Sequence, residues 1–395
     1  MSPTLARAAG AAAVVLAVAS CSSGTSGTAT ASSTAASASA TTSGSSATQQ
    51  VTTAANAFLA TLDDTQKDTV SFDWSDTEQK QRWSNFPPVA FQRAGLQWGE
   101  LSEEQQNAWL AVMRAALSSE GYDRVLAMWA SDDANAAETG QSDLFGRQYY
   151  YLALIGAPSD AGPWMWQFGG HHLAVNATIA GGRVSTTPSF IGDQPASYTD
   201  ASGAAVRPLG DIEDEAFALV NSLDDAQKQA AVLGDTPINL VLGPGEDGKT
   251  IAPEGIPLSQ LAPEQQAAAL EVIRHYAGLA NDTDAAARME EITAGLDQTS
   301  FAWYGPTTAG SAAYFRFTGP TLLIEYAPQG AGGGPGGGGQ GGPPSGDPSG
   351  APPSGGAGGG GGDAAAGATI SSATLDHIHG VYRDPTNEYG SKYAS

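Results

Sequence analysis

The sequence predicts an α+β fold: one compact domain made of two tandem, pseudo-symmetric repeats, each with helices first and antiparallel strands after. Three pairs of blocks predict the duplication. FLATLDDTQKDTV (Phe58–Val70) and LVNSLDDAQKQAAV (Leu219–Val232) share LDDxQK at an offset of 161 residues. LSEEQQNAWLAVMR (Leu101–Arg114) and LAPEQQAAALEVIR (Leu261–Arg274) follow at an offset of 160. WQFGGHHLAVN (Trp166–Asn176) and FRFTGPTLLIE (Phe315–Glu325) follow at 149. Chance likeness between helical patterns explains one such block, not three in the same order.

The elements follow in chain order. Residues 1–20 read as a secretory signal. Arg7 precedes an apolar run to Val18, and Ala19-Ser20 lead to Cys21, the single cysteine of the chain. That run is too short for a spanning helix of about 20 residues. The pattern predicts cleavage before Cys21 and lipidation of its thiol. The expected location is the extracytoplasmic face of a bacterial cell membrane, and the expected membrane contact is that lipid. Residues 22–48 contain only Ser, Thr, Ala and Gly. Such a composition buries too little apolar surface to offset its ordering entropy, so residues 21–50 are expected to be a tether.

The repeats are expected over 51–205 and 206–395. In each, LDDxQK opens a helix with Asp in the first turn, where the helix dipole favours it. The second helix starts at Ser102, with Gln105 completing a capping box, or at Pro263 in the other copy. Leu110, Val112, Met113 and Leu117 can face a core, as can Leu270, Val272, Ile273 and Leu279. A third helix is expected from Asp123 onward and over Asp284–Leu296. The hydrophobic period then shifts to two. Tyr149–Ile155, Trp164–Ile179, Ser300–Tyr304 and Ala313–Tyr326 read as strands with Gly/Pro turns between them. The two hairpin sets are expected to join in one sheet. Residues 330–362 hold 19 Gly and 6 Pro and no large apolar side chain, so 330–368 is expected to be a disordered insertion. A final strand, Ala373–Arg383, returns after it.

Composition excludes some functions. Lys+Arg 17 against Asp+Glu 41 leaves a formal charge of −24. No basic cluster is available for phosphate backbones, so no nucleic-acid partner is expected. One cysteine excludes an intrachain disulfide and the usual Cys-rich zinc sites. There is no GxSxG, P-loop, GxGxxG or HExxH.

The strings WQFGGHHLAVNATIAGGRVSTTPSFIGDQPA, GPTLLIEYAPQ and DHIHGVYRDPTNEYG, with the LDDxQK and LxxEQQ blocks, resemble the domain-of-unknown-function 3500 family of bacterial proteins. The likeness spans roughly residues 55–395. It implies one family domain and no assigned activity. The Gly-rich segment before DHIH departs from the family's usual pattern.

Chemistry concentrates in two of these motifs. Four of the five histidines, His171, His172, His377 and His379, lie in them. His377 and His379 are two apart on a strand, so both side chains leave one face. His171 and His172 are adjacent, so a regular strand would point them oppositely. All four histidines are candidate metal ligands; either His171 or His172 can be the inward one of its pair, with the other as a supporting residue. Glu325 aligns with Asn176 on the less apolar face of its strand. A His172–Glu325–His377–His379 cluster would suit zinc, iron, manganese or copper. If Glu325 is not a ligand it is a candidate general base. Arg383, two turns of the pleat beyond His379, is a candidate for orienting a small anionic molecule. His275 is expected at or near the surface of its helix. Two readings stand side by side. One is a surface lipoprotein acting as a metal-dependent hydrolase. The other is a non-enzymatic lipoprotein that binds a ligand or partner, with Glu325 and Arg383 as ion-pair partners and a structural histidine cluster.

Overall fold

A computed structural model describes residues 46–330 and 365–394. The expected signal, Cys21 and the tether up to residue 45 lie outside the described residues, as does the insertion at 331–364. The helices are α1 (Ala47–Ala60), α2 (Asp64–Val70), α3 (Thr77–Lys80), α4 (Glu103–Ala116), α5 (Ser119–Thr139), α6 (Gly210–Ser222), α7 (Asp225–Ala231), α8 (Pro263–Ala277) and α9 (Asp282–Ala294). The strands are β1 (Ser71–Phe72), β2 (Leu96–Gln97), β3 (Tyr151–Ile155), β4 (Trp164–Gly170), β5 (Leu173–Ala180), β6 (Arg183–Ser185) and β7 (Ser189–Asp193). They continue as β8 (Tyr198–Thr199), β9 (Ala205–Val206), β10 (Val232–Gly234), β11 (Ile256–Pro257), β12 (Ser300–Tyr304), β13 (Tyr314–Gly319), β14 (Leu322–Gly330) and β15 (Ala373–Arg383).

Local chemistry explains the helix starts. Ser46 caps α1: its Oγ accepts from Gln49 N at 3.2 Å, and Ser46 N donates to Gln49 Oε1 at 3.0 Å. Ala47–Gln50 therefore form the first turn of a helix, although they were expected in the tether. Capping supplies partners for N–H groups that composition alone leaves out of account. The same reciprocal box opens α2 at Asp63/Gln66, α4 at Ser102/Gln105 and α7 at Asp224/Gln227. α4 buries Trp109, Val112, Met113 and Ala116, while Leu110 is only half-buried. The wider indole takes the core position that the pattern assigned to its neighbour. α8 buries Ala269, Val272, Ile273 and Tyr276.

The strands form one sheet in the order β1-β3-β4-β5-β7-β15-β14-β13-β12-β10, with β2 on β3, β6 on β5 and β11 on β12. It is mixed, not wholly antiparallel: β1 runs parallel to β3 and β10 parallel to β12. Those two strands follow α2 and α7 directly and are only two and three residues long. So short a run carries no readable period. β8 and β9 pair separately. The expected strand Trp164–Ile179 is two strands, broken at His171-His172.

The two faces of the sheet differ. Cross-strand pairs Phe168/Val175, Ile191/Gly380 and Ile324/Tyr382 lie on the face that packs against the helices. Pairs Gln167/Asn176, Gly192/His379 and Glu325/Val381 lie on the other. There Trp83, Ile238 and Leu240 from connecting segments pack on Phe190, Tyr314 and Val381. The α4–α5 corner meets the α8–α9 corner: Ser118 N donates to Leu279 O at 3.1 Å and Asn281 N to Ala116 O at 2.9 Å. The described residues make one compact unit. Among the described residues no helix is long and apolar enough to cross a membrane.

One buried acid lies on the helix-facing side. Asp193 is 0 % exposed, and neither carboxylate oxygen has a hydrogen-bond partner among the described residues. Burial, and then Glu213 and Asp376, push its carboxyl well above the ordinary carboxylate range. Above pH 4 the unfolded chain releases this proton while the folded chain keeps it. Stability therefore falls with rising pH until the folded group also ionises, by up to about 1.4 kcal/mol per unit. Asp193→Asn is expected to gain on the wild type between pH 4 and 7. Melting temperature against pH checks this; parallel curves for the two proteins would contradict it.

Candidate metal centre

The centre is built at the middle of the sheet, on the loop-covered face. Gly170 and Leu173 close the β4–β5 hairpin, and His171-His172 are the two residues between them. His172 has φ 62°, a left-handed conformation that costs a non-glycine residue on the order of 1 kcal/mol. This turn replaces the alternation of a regular strand. The two imidazoles stack, with ring centroids 3.7 Å apart. His172 N donates to Asn85 O at 3.1 Å, which binds the turn to the segment covering it.

From there His172 reaches across β7 to β15. Gly192 is the β7 residue paired with His379 on this face. A Cβ at 192 would come within 2.5 Å of Ile378 O, 3.0 Å of Phe190 Cε1 and 3.3 Å of His172 O. Glycine here lets the hairpin close on β15. On β15 the pleat directs His377 and His379 to the same side. His377 Nε2 lies 2.9 Å from His172 Nε2 and 3.0 Å from His379 Nε2. All three residues are at most 4 % exposed.

This donor set could hold a metal ion. Nitrogens bound to one ion at about 2.0–2.1 Å stand roughly 3.0–3.4 Å apart, close to what is seen. Burial, followed by the neighbouring imidazoles, pushes His172 well below the ordinary histidine range. Burial and then His171 lower His379 to about 3. Both rings are therefore neutral near pH 7, with lone pairs available for coordination. Asn85 Nδ2 lies 3.4 Å from His379 Nε2, and Phe190 packs its ring against His379.

His171 is not one of the converging three. Its Nδ1 lies 2.8 Å from Asp132 Oδ1, and Asp132 Oδ2 accepts from Gly146 N at 2.9 Å. Phe145 packs on its outer side and His172 on its inner side. Asp132, on α5, thus orients the imidazole that backs His172.

Glu325 shares the face but not the cluster. Its carboxylate accepts from Val241 N and Leu242 N, both at 2.8 Å, and from Tyr314 Oη at 2.6 Å. Arg383 is fully buried. Its Nε donates to Leu242 O and its Nη2 to Gly243 O, both at 2.8 Å; its Nη1 meets Asp247 at 3.3 Å and Glu388 at 2.5 Å. Both side chains pin the 241–247 segment to the sheet. Neither is brought to the three nitrogens.

His275 is buried, contrary to the surface position its helix suggested. Its Nδ1 lies 3.0 Å from Glu120 and its Nε2 2.9 Å from Glu215. Glu120, Asp211 and His275 also converge, but Arg124 already lies among them, bonded to Asp211 at 2.8 Å and beside His275 Nδ1 at 2.9 Å. A cation is therefore already supplied there.

Asn85, Arg93 and Asp132 carried no motif. Arg93 is buried, and burial lowers it to about 10. Its Nη2 donates to Ser84 O, Phe86 O and Gly170 O at 2.6, 2.8 and 2.7 Å, tying the covering segment to the end of β4. Only a long-range pairing signal would have exposed these residues.

A family model described as a protein of unknown function (DUF3500) matches residues 44–391. No curated protein and no solved structure matches the chain.

Proposed function

The chain belongs to the DUF3500 family of proteins of unknown function, and from that premise we propose that it is a metalloprotein with one ion, zinc or copper, held by His172, His377 and His379. One observation carries this: three buried Nε2 atoms converge at 2.9 and 3.0 Å with no carboxylate among them. Imidazole-only donors suit zinc and copper better than manganese.

The function proposed for the centre is hydrolysis. Three protein ligands leave a fourth tetrahedral position, where a bound ion lowers the pKa of water toward neutrality. The Asp132–His171 pair stacked on His172 supports this reading, because an oriented imidazole beside a metal ligand can hold or pass a proton. Glu325 and Arg383 have no part in the proposal, since their polar atoms are engaged elsewhere. A second reading is favoured by the closure of the site, with each histidine at most 4 % exposed. In it the ion is structural and staples the hairpin turn to β15 in a non-enzymatic binding protein.

Elemental analysis of the purified chain tests the first step. About one equivalent of zinc or copper is expected. A metal-free protein that takes up none of zinc, copper, iron or manganese would sink it. A panel of esters, amides and phosphoesters then separates the readings. Turnover that chelation abolishes and zinc restores supports the hydrolase; inertness of fully loaded protein supports the staple. Asp132→Asn is expected to weaken metal binding by less than the roughly 10–100-fold that loss of a direct partner of a ligand costs, since Asp132 orients His171, which backs His172 without bonding to the ion. Competition with a chromogenic chelator measures that.

The same proposal includes a duplicated architecture and a lipid anchor at Cys21 on the extracytoplasmic membrane face. The strand order reads the same from either end when the first-half and second-half strands are exchanged. Two glutamine pairs support it further. Gln105 Nε2 donates to Gln66 Oε1 at 2.8 Å, and Gln265 Nε2 to Gln227 Oε1 at 3.0 Å. These are the glutamines of the repeated LDDxQK and EQQ blocks.

A further inference from the structure

The helix-facing side of the sheet carries a second polar constellation, separated from the histidines by the thickness of β15. Asp193 on β7 is paired with Ile378, and Tyr326 on β14 with Gly380, so both side chains emerge on this side. Tyr276 descends from α8. Its Oη lies 3.3 Å from where a Cβ on Gly380 would stand, so its hydroxyl reaches the sheet beside Tyr326. All three residues are at most 2 % exposed. The two Asp193 oxygens and both tyrosine hydroxyls lack hydrogen-bond partners among the described residues. Four orphaned oxygens in one patch are unusual, because buried polar atoms are nearly always paired and each unpaired one costs free energy.

Asp193 and Tyr326 line a cavity of about 280 Å³ that opens past α6. Its walls are of two kinds. Leu209, Leu375 and Ile378 are apolar. At the α6 side stand Glu213 and Asp214, with Arg207 bonded to both. Two acids share that one cation, so Asp193 has no basic partner left. Asp376 adds a further negative charge to its surroundings.

We propose that this cavity binds a small organic cation, a protonated primary alkylamine. Its ammonium is received by Asp193 and by the hydroxyl oxygen of Tyr326, and its alkyl chain lies along Leu375 and Ile378. The match is one of number and sign. An ammonium brings three donors and no acceptor, and its charge favours the ionised form of Asp193, so the proton that the empty site keeps is released to solvent on binding. A neutral polyol would bring donors but no charge to the acidic surroundings. The net charge of −24 also raises the local concentration of cations. The size suits a short chain, near the lower end for small-molecule pockets. This site does not depend on the metal proposal.

The test uses the full chain as purified, titrated with n-butylammonium chloride in a calorimeter and followed by thermal melting, with 1-butanol and sodium chloride as controls. Saturable binding of the amine alone is expected, with a rise of a few degrees in melting temperature at saturation. Asp193→Asn is expected to weaken binding at least tenfold, and Tyr326→Phe severalfold. The asparagine keeps the shape of the site and removes a buried acid; circular dichroism checks that the variant folds. Should it fail to fold, Tyr326→Phe decides, and unchanged affinity there overturns the proposal. So does the absence of binding up to about 50 mM amine, equal binding of 1-butanol, or equal affinity in wild type and Asp193→Asn. Each of those results makes the cavity a hydrated space.

Discussion

Alanine at both His377 and His379 is expected to take the metal content of the protein from near one equivalent to near zero. Two of three ligand nitrogens would be gone, and the one imidazole left beside His172 is His171, whose Nδ1 is already held by Asp132. If the roughly 10–16 kcal/mol of a four-ligand structural zinc is shared evenly, each ligand contributes about 2.5–4 kcal/mol. The double change then lowers affinity by several powers of ten. The rise in melting temperature on adding zinc or copper should vanish with it. The comparison belongs between metal-free forms first, because two buried side chains are also truncated. Metal retained at wild-type stoichiometry in the variant would show that the ion sits elsewhere. A wild type that binds no metal would show that the imidazoles form a hydrogen-bonded cluster.

Arg383→Ala is expected to produce the largest loss of stability of any single change near the site. The guanidinium is 0 % exposed and bonds two carbonyls, Leu242 O and Gly243 O, and two carboxylates, Asp247 and Glu388. Removing it leaves those largely buried acids facing each other. Breaking a buried pair in this way costs about 3–5 kcal/mol, because the partner charge stays behind. At roughly 2–4 °C per kcal/mol for a large domain, the melting temperature should fall by about 6–20 °C. Lysine should recover only part, since a point charge cannot reproduce the planar fork. An arginine that oriented substrate would behave differently: melting would barely change and turnover would fall. Thermal melts of Arg383→Ala and Arg383→Lys decide between these roles.

The placement of Arg383 shows where sequence reasoning reaches its limit. Its strand and its face were legible, because β15 alternates and Arg383 follows His377 and His379 by even steps. The use of that face was not. Arg383 meets a segment more than a hundred residues earlier, whose backbone carbonyls leave no trace in side-chain identity. Glu325 is the same case. Its parity was readable, and its partners are the amides of Val241 and Leu242. Asp132 and Asp193 were invisible for another reason. One acid among many in a chain with Asp+Glu 41 carries no local signal that it will be buried.

What the sequence determined by itself is the part governed by short-range physics. The α+β class, the helix starts at the LDDxQK and LxxEQQ blocks, strands β3–β5 and β12–β15 and the placing of His377 with His379 on one face follow from periods of 3.6 and 2 and from residues three apart. β7 and the Ser46 cap of α1 do not. Tertiary structure decided the rest. It chose His172 over His171 by a left-handed turn, set His171 on Asp132, and replaced Glu325 in the cluster by nothing but nitrogen. It also closed the face with segments that only folding brings near. Those choices depend on backbone direction and on contacts between distant residues, and neither is encoded in the spacing of side chains along one strand.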